Sequence, residues 1–404
     1  MKLKSASIGA PAALLLLSGA AHADLTPFSF GAQETIEHES NVNHTAEAQA
    51  AWLSTTELRA AMDELLGRQH LLANAQVDFN RYTDHGPNNT SYQAGTELDW
   101  STIGDLSGAI GASSQRRRYL YGFSGESVSP SNNLETDNRA FARAQLGGPG
   151  RWVLFGGADA TERRYSNALF NVNEENQWSV NGGTRYQTSP DLSFGITGEY
   201  TRGKYPNVPD GLNGFNLRSL DLTSMWQATG NSQFNLRTGY TQEREDGRPD
   251  NNYWNGDLGW SWTPPSHFKV TIDIARDSDA NTAALANAVS GQSNLTGRSI
   301  NTTFNANVTY SLTAKTSLVA GFQYAKRRYA PGTLPLIVGA PEDFASGTNR
   351  TSQLSLSAHY LPTVNSDVSC GVTREVRHSD ASIVEVAPSY TATDVLCSAQ
   401  IQFK

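Results

Sequence analysis

The chain has 404 residues, 38% of them hydrophobic, and 39 Asp and Glu against 31 Lys and Arg, a formal net charge of −8. That balance, with no basic run longer than Arg116-Arg117-Arg118, excludes nucleic acid as a partner. Two cysteines exclude a disulfide-built fold and cannot hold zinc alone, so no metal or other cofactor is expected.

Lys2 and Lys4 precede an apolar core at Ala12 to Ala20, and Ala21-His22-Ala23 follows as a small-x-small cleavage pattern. Residues 1–23 therefore read as a signal peptide and 24–404 as one exported domain. A helix crossing a membrane needs roughly 20 consecutive apolar residues, and no such run follows Ala23. A transmembrane barrel needs no such run, because its strands turn only every second side chain to lipid.

Alternation of this kind runs along the chain from Phe28–Ser40 to Tyr390–Phe403, in about 18 segments of roughly ten to fourteen residues. In one segment Trp254, Gly256, Leu258, Trp260 and Trp262 share a row. Thr263-Pro264-Pro265-Ser266-His267 then turns the chain, and Phe268, Val270, Ile272 and Ile274 return. Pairing about that turn is expected to set Trp262 opposite Phe268 and Leu258 opposite Ile272. Further on, Ile300 to Tyr310 and Leu318 to Tyr324 repeat the pattern, with Asn301, Thr303, Asn305, Asn307 and Thr309 on the other face. Short turns alternate with long polar connections, the longest at Asp277–Gly297, Tyr329–Asn349 and Tyr119–Asn133. The expected fold is an all-β antiparallel up-and-down transmembrane barrel in the Gram-negative outer membrane, with short periplasmic turns and long extracellular loops. The stretch Ala283 to Val289 suits a loop or helix folded into a channel.

Aromatic side chains concentrate at membrane–water interfaces. Trp100, Trp152, Trp226, Trp260 and Trp262 stand beside short turns, with Phe268, Tyr310, Tyr360 and Phe403. Trp52, Trp178 and Trp254 stand at the loop-side ends, with Tyr92, Tyr200 and Tyr390. Val395, Cys397, Ala399, Ile401 and Phe403 form a terminal-strand signal for barrel assembly machinery, followed by Lys404. Pairing the last two strands sets Cys370 against Cys397 on the lipid-facing rows, either as a cross-strand disulfide or as two small apolar fillers.

The rows facing away from lipid carry Glu57, Arg59, Asp78, Glu97, Asp99, Arg117, Arg139, Arg143, Arg185, Glu199, Asp221, Arg237, Asp257, Lys269, Asp273, Arg327 and Glu375. Mixed charges among many amides and hydroxyls suit hydrogen bonding to sugar hydroxyls, or simply stiffen a hydrated interior, and do not select strongly for one ion sign. Catalysis has thin support. His38 and Ser40 share a strand face, as in barrel lipases, but no third residue orients the histidine; His378-Ser379-Asp380 is weaker still. Glu243 to Asp246 and Asp277-Ser278-Asp279 are acidic without ordered ligand spacing, and read as solvated loops.

Three hairpin segments, Trp226 to Ser232, Val270 to Asp277 and Tyr310 to Thr316, resemble the EpsL-type outer-membrane barrels of exopolysaccharide-biosynthesis operons. The resemblance implies export or surface assembly of a polysaccharide as a passive conduit, with a periplasmic export apparatus as partner and outer-membrane lipid and lipopolysaccharide around the wall. It supplies no set of functional residues. The rival expectations are a general or nutrient-uptake porin and a closed structural or adhesive barrel.

Overall fold

The computed structural model describes residues 27–403 except 84, 120–132, 148–151, 169–170, 172–173, 209–212, 247–249, 279–298, 330–346 and 381–388. The signal peptide and the Ala283 to Val289 stretch lie outside the described residues.

Eighteen strands follow one another: β1 (Phe28–Glu39), β2 (Ala51–Leu66), β3 (Gln69–Tyr82), β4 (Asn89–Ser101), β5 (Leu106–Arg118) and β6 (Leu134–Leu146). Next come β7 (Trp152–Tyr165), β8 (Glu175–Ser189), β9 (Leu192–Lys204), β10 (Gly214–Thr229), β11 (Ser232–Glu245) and β12 (Asn251–Trp262). The last are β13 (Phe268–Ser278), β14 (Ser299–Ser311), β15 (Thr316–Tyr329), β16 (Gly347–Thr363), β17 (Ser366–Ser379) and β18 (Tyr390–Phe403). Each pairs antiparallel with its sequence neighbours, and β1 pairs with both β2 and β18. The sheet therefore closes, leaving no edge with unpaired backbone groups.

The two faces of this wall are the reverse of a soluble protein's. Ile196 lies opposite Leu222, and Leu236 opposite Leu258, which lies opposite Ile274. All five side chains are exposed. An apolar band of this extent is a lipid-contact surface. The alternate rows point into the closed barrel and carry the polar residues. Two-residue connections at 67–68, 190–191, 230–231 and 364–365 and slightly longer ones at 102–105 and 312–315 define one rim. Gly67 takes a left-handed φ of 68° in the first of these, a conformation that suits a two-residue hairpin turn. The opposite rim carries the long connections, including 279–298 and 330–346.

The strands reach further toward the long-loop rim than the alternation alone marked. β7 continues to Tyr165, and β13 takes in Asp277, which the sequence placed in a loop. The register about the Pro264-Pro265 turn also corrects the expectation. Trp262 lies opposite Val270 and Leu258 opposite Ile274, a shift of two residues. The turn draws itself in with Ser266 N donating to Pro264 O at 2.7 Å, and Phe268 and Lys269 pair with β14 alone. Because side chains alternate with a period of two, an even shift keeps every residue on its expected face. In β17 and β18, Cys370 lies opposite Cys397 and the two are joined by a disulfide.

Candidate functional site

The interior of the barrel is the concave polar surface of this molecule, and it is built strand by strand from the inward rows. On β2 and β3, Arg59 Nε donates to Glu57 Oε1 at 2.9 Å and Arg59 Nη2 to Gln33 Oε1 at 2.9 Å. Gln76 bridges Glu57 and Asp78, 2.9 Å from each. On β4, Asp99 faces His70 at 4.0 Å, and Glu97 lies opposite Leu72 and Gly111.

A denser network spans β5 to β8. Arg117 Nη2 lies 2.6 Å from Glu135 and 3.4 Å from Asp137. Arg163 Nε lies 2.8 Å from Asp137 and 3.8 Å from Glu135, and its Nη1 is 3.7 Å from Glu175. Tyr165 Oη donates to Glu135 at 3.0 Å, and Arg139 Nε donates to Asp159 at 2.8 Å. Arg143 lies over the Phe141 ring at 4.5 Å. Arg185 and Glu199 occupy inward positions on β8 and β9, where Thr201 donates to Glu199. On β10 to β13 one guanidinium serves three acids: Arg237 approaches Asp257 at 2.5 Å, Asp277 at 3.1 Å and Asp221 at 3.5 Å. Lys269 and Asp273 follow on β13, opposite Thr309 and Asn305. Arg327 lies between Asn301 and Asn349, and Glu375 accepts from Tyr390 Oη.

The sequence-predicted interior residues fall on inward rows, and the same rows also carry Glu37, Glu39, Asp63, Glu135, Asp137, Asp159, Arg163, Glu175, Glu243, Glu245, Asp277, Asp367, Arg377 and Asp394. Glu135 and Asp137 share the parity of Arg139 and Arg143, so extending the same alternation two steps outward would have found them. The additions change the electrostatics. Carboxylates outnumber basic groups about two to one on the described inward rows, whereas the outward rows near the long-loop rim are mostly basic. The sequence-predicted set, nearly balanced in sign, is thus part of a more acidic lining. Charge is also uneven around it. The inward faces of β14 and β16 carry Asn301, Thr303, Asn305, Asn307, Thr351 and Gln353 with no carboxylate, forming an amide and hydroxyl wall, and β15 between them adds Arg327 near the long-loop rim.

At the long-loop rim the connection 40–50 folds inward over the mouth. Val42 is fully buried in a cluster with Ala51, Leu53 and Tyr82, the last two being inward residues of β2 and β3. Val42 N donates to Gln49 O at 2.9 Å, and Asn41 ties the turn by donating to Thr45 O at 2.7 Å. His44 takes a left-handed φ of 52° and stacks on Tyr390 at 4.4 Å, with Arg377 over the same ring at 4.7 Å. Arg118 reaches from β5 to Asn43 Oδ1 at 3.2 Å. A polar sequence in this connection gave no sign of the anchor, because Val42 alone supplies it. Val42→Asp should free the loop, seen as faster cleavage after Glu47 by a Glu-specific protease.

No family model matches the sequence, and no curated protein does. Solved structures do. OccAB2 of Acinetobacter baumannii superposes with a TM-score of 0.52 and 11% identity, over 93% of this chain and 98% of its own. The outer membrane protein OpdK of Pseudomonas aeruginosa, in a structure with vanillate, gives 0.50 and 10% over 94% and 100%. The chain has the 18-stranded fold of these outer-membrane barrels. At such identities the likeness concerns the fold, and the resemblance to EpsL-type barrels rests on its three hairpin segments alone.

On the outer surface of this barrel the short-turn rim carries a chain of rings. Trp152 packs on Tyr186, Trp226 on Phe234, Phe234 on Trp260, Trp260 on Trp262, and Phe268 on Tyr310. Trp100, Tyr360 and Phe403 occupy outward positions on the same rim. On the loop side Trp178 meets Tyr200, and Trp254 meets Tyr240. Tyr390 departs from its expected place: it is buried and faces the lumen under His44. Its even number already opposed it to the outward odd row of β18. His38 lies on the outer face with its ring against Trp52 at 5.0 Å, and Ser40 Oγ accepts from Thr393 N at 2.6 Å. Neither contact supplies the orienting acid that hydrolysis would need. Of the acidic stretches, Asp277 is committed to Arg237, and Glu243 accepts from Asn251 at 3.1 Å.

Proposed function

We propose that this protein is an outer-membrane channel for small polar solutes, with a preference for neutral and cationic ones over anions. The observation that carries the reading is the lumen itself, rich in acids over its described inward rows, most of all on β1 to β4, and lined by uncharged amides and hydroxyls on β14 and β16. Acidic linings draw in cations, and an amide and hydroxyl track exchanges hydrogen bonds with solute hydroxyls without holding them. Vanillate, the molecule in the OpdK structure, is a carboxylate and would be disfavoured here. Export on a cleaved peptide of residues 1–23 and insertion by barrel assembly machinery belong to the same proposal.

The test is planar-bilayer recording of the purified protein across a KCl gradient. Discrete conductance steps with a reversal potential displaced toward that of K+ are expected. A reversal potential near zero would remove the charge preference, and absence of conductance would remove the channel. The amide and hydroxyl wall, with the hairpin segments similar to EpsL-type barrels, favours a second reading: passage of a polysaccharide outward, with a periplasmic export apparatus. Deleting the chain in its native cell would transfer the assignment to export if surface polysaccharide fell while uptake of small sugars stayed unchanged.

A further inference from the structure

The register of β13 to β17 aligns a row of basic residues on the outward face. Arg276 lies opposite Thr302, Thr302 opposite Lys326, Lys326 opposite Arg350, and Arg350 opposite His378. Lys326, Arg350 and His378 are thus immediate cross-strand neighbours. Like charges set directly opposite one another destabilise a sheet. Among the described residues none of these side chains makes an ion pair, and no outward position within β13 to β17 is acidic. Asp380, just past β17, accepts instead from Thr348 N at 2.9 Å.

The height of the row says what could neutralise it. Ten residues separate Arg350 from Tyr360, and ten separate Lys326 from Thr316 at the short-turn rim. At about 3.3 Å per residue and a tilt near 40°, that span is about 25 Å along the barrel axis, the height of a barrel's apolar band. Beneath it lie Leu354, Phe322 and Ile274, all exposed, with Arg374 opposite Leu354 on the β17 flank. A ligand matching this surface has an anionic head at the level of the row and hydrocarbon below it.

We infer that the β13–β17 face binds the phosphorylated head group of an outer-leaflet lipid of the lipid A class, with Lys326 and Arg350 as its central contacts. The expected lipopolysaccharide neighbourhood thereby acquires a specific place on the wall. The inference rests on the long-loop rim facing the outer leaflet and not on what passes through the lumen.

Native mass spectrometry of the purified barrel with diphosphoryl lipid A, dephosphorylated lipid A or inorganic phosphate tests it. Retention of diphosphoryl lipid A is expected. At roughly 1 kcal/mol per basic residue near an anionic surface, K326Q/R350Q should weaken binding about 30-fold. R276Q/H378N is a second variant expected to lower retention. R68Q/K315Q removes two charges from the short-turn rim and should retain the wild-type affinity. All variants are compared as heat-modifiable, folded species. Equal binding of the dephosphorylated lipid, an equal loss in R68Q/K315Q, or unchanged binding in both row variants would overturn the site. Displacement of the lipid by micromolar inorganic phosphate would show a phosphate site and overturn the lipid assignment. Channel conductance is read separately, so failure here is distinguishable from failure of the channel.

Discussion

Replacing Arg163 with alanine should lower the unfolding free energy of the barrel by about 3–5 kcal/mol, the cost of removing one partner from a buried charge network. Arg163 is 7% exposed, and three carboxylates converge on it from β6 and β8: Glu135, itself 0% exposed, Asp137 and Glu175. Arg117 still serves Glu135 and Asp137 in the variant, but Glu175 is left holding charge in a closed site. The penalty arises from the acid left without a cation, so Arg163→Ala combined with Glu175→Gln should recover part of the loss. Arg163→Lys should fall between, because an ammonium cannot reproduce the forked contact. Urea unfolding in detergent micelles, followed by tryptophan fluorescence, measures all three. A loss below about 1 kcal/mol in Arg163→Ala would mean that water solvates this cluster as it does exposed surface pairs.

Such a cluster was only partly legible in the sequence, and the reason is local. Alternation with a period of two marks a strand wherever one face is apolar, as at the outward Leu154 and Ala158 of β7. Beyond the apolar band both faces are polar, and Glu162, Arg163 and Arg164 no longer alternate in character. β7 nonetheless continues to Tyr165, because pairing with β6 and β8 holds it. The same limit hid Asp277. Strand number, closure and face assignment depend on the apolar rows and could be read directly. Which acids share one arginine depends on lateral register between strands, as does the basic row over β13 to β17. One residue pair, Cys370 and Cys397, had its register readable in advance because the connecting loop could be bounded on both sides.

Neighbouring residues on opposite faces give the sharpest test of that wall. Leu236 points outward, between Ser224 and Leu258, about 10 Å above the level of Trp262 opposite Ser232 at 3.3 Å per residue and 40° tilt. Leu236→Arg sets a guanidinium against hydrocarbon near the middle of the band and should cost about 2–4 kcal/mol. Asn235, one residue earlier, points into the lumen opposite Gly259 and is exposed there. Asn235→Arg should change stability by no more than about 0.5 kcal/mol. Its charge nonetheless enters an acid-rich lumen, so the reversal potential in a KCl gradient should move away from that of K+. Unfolding and bilayer recordings on the same two preparations separate the effects. An outcome in which Leu236→Arg left stability intact and Asn235→Arg destabilised the barrel would invert the wall, and the acid-rich surface would then face outward, incompatible with a channel.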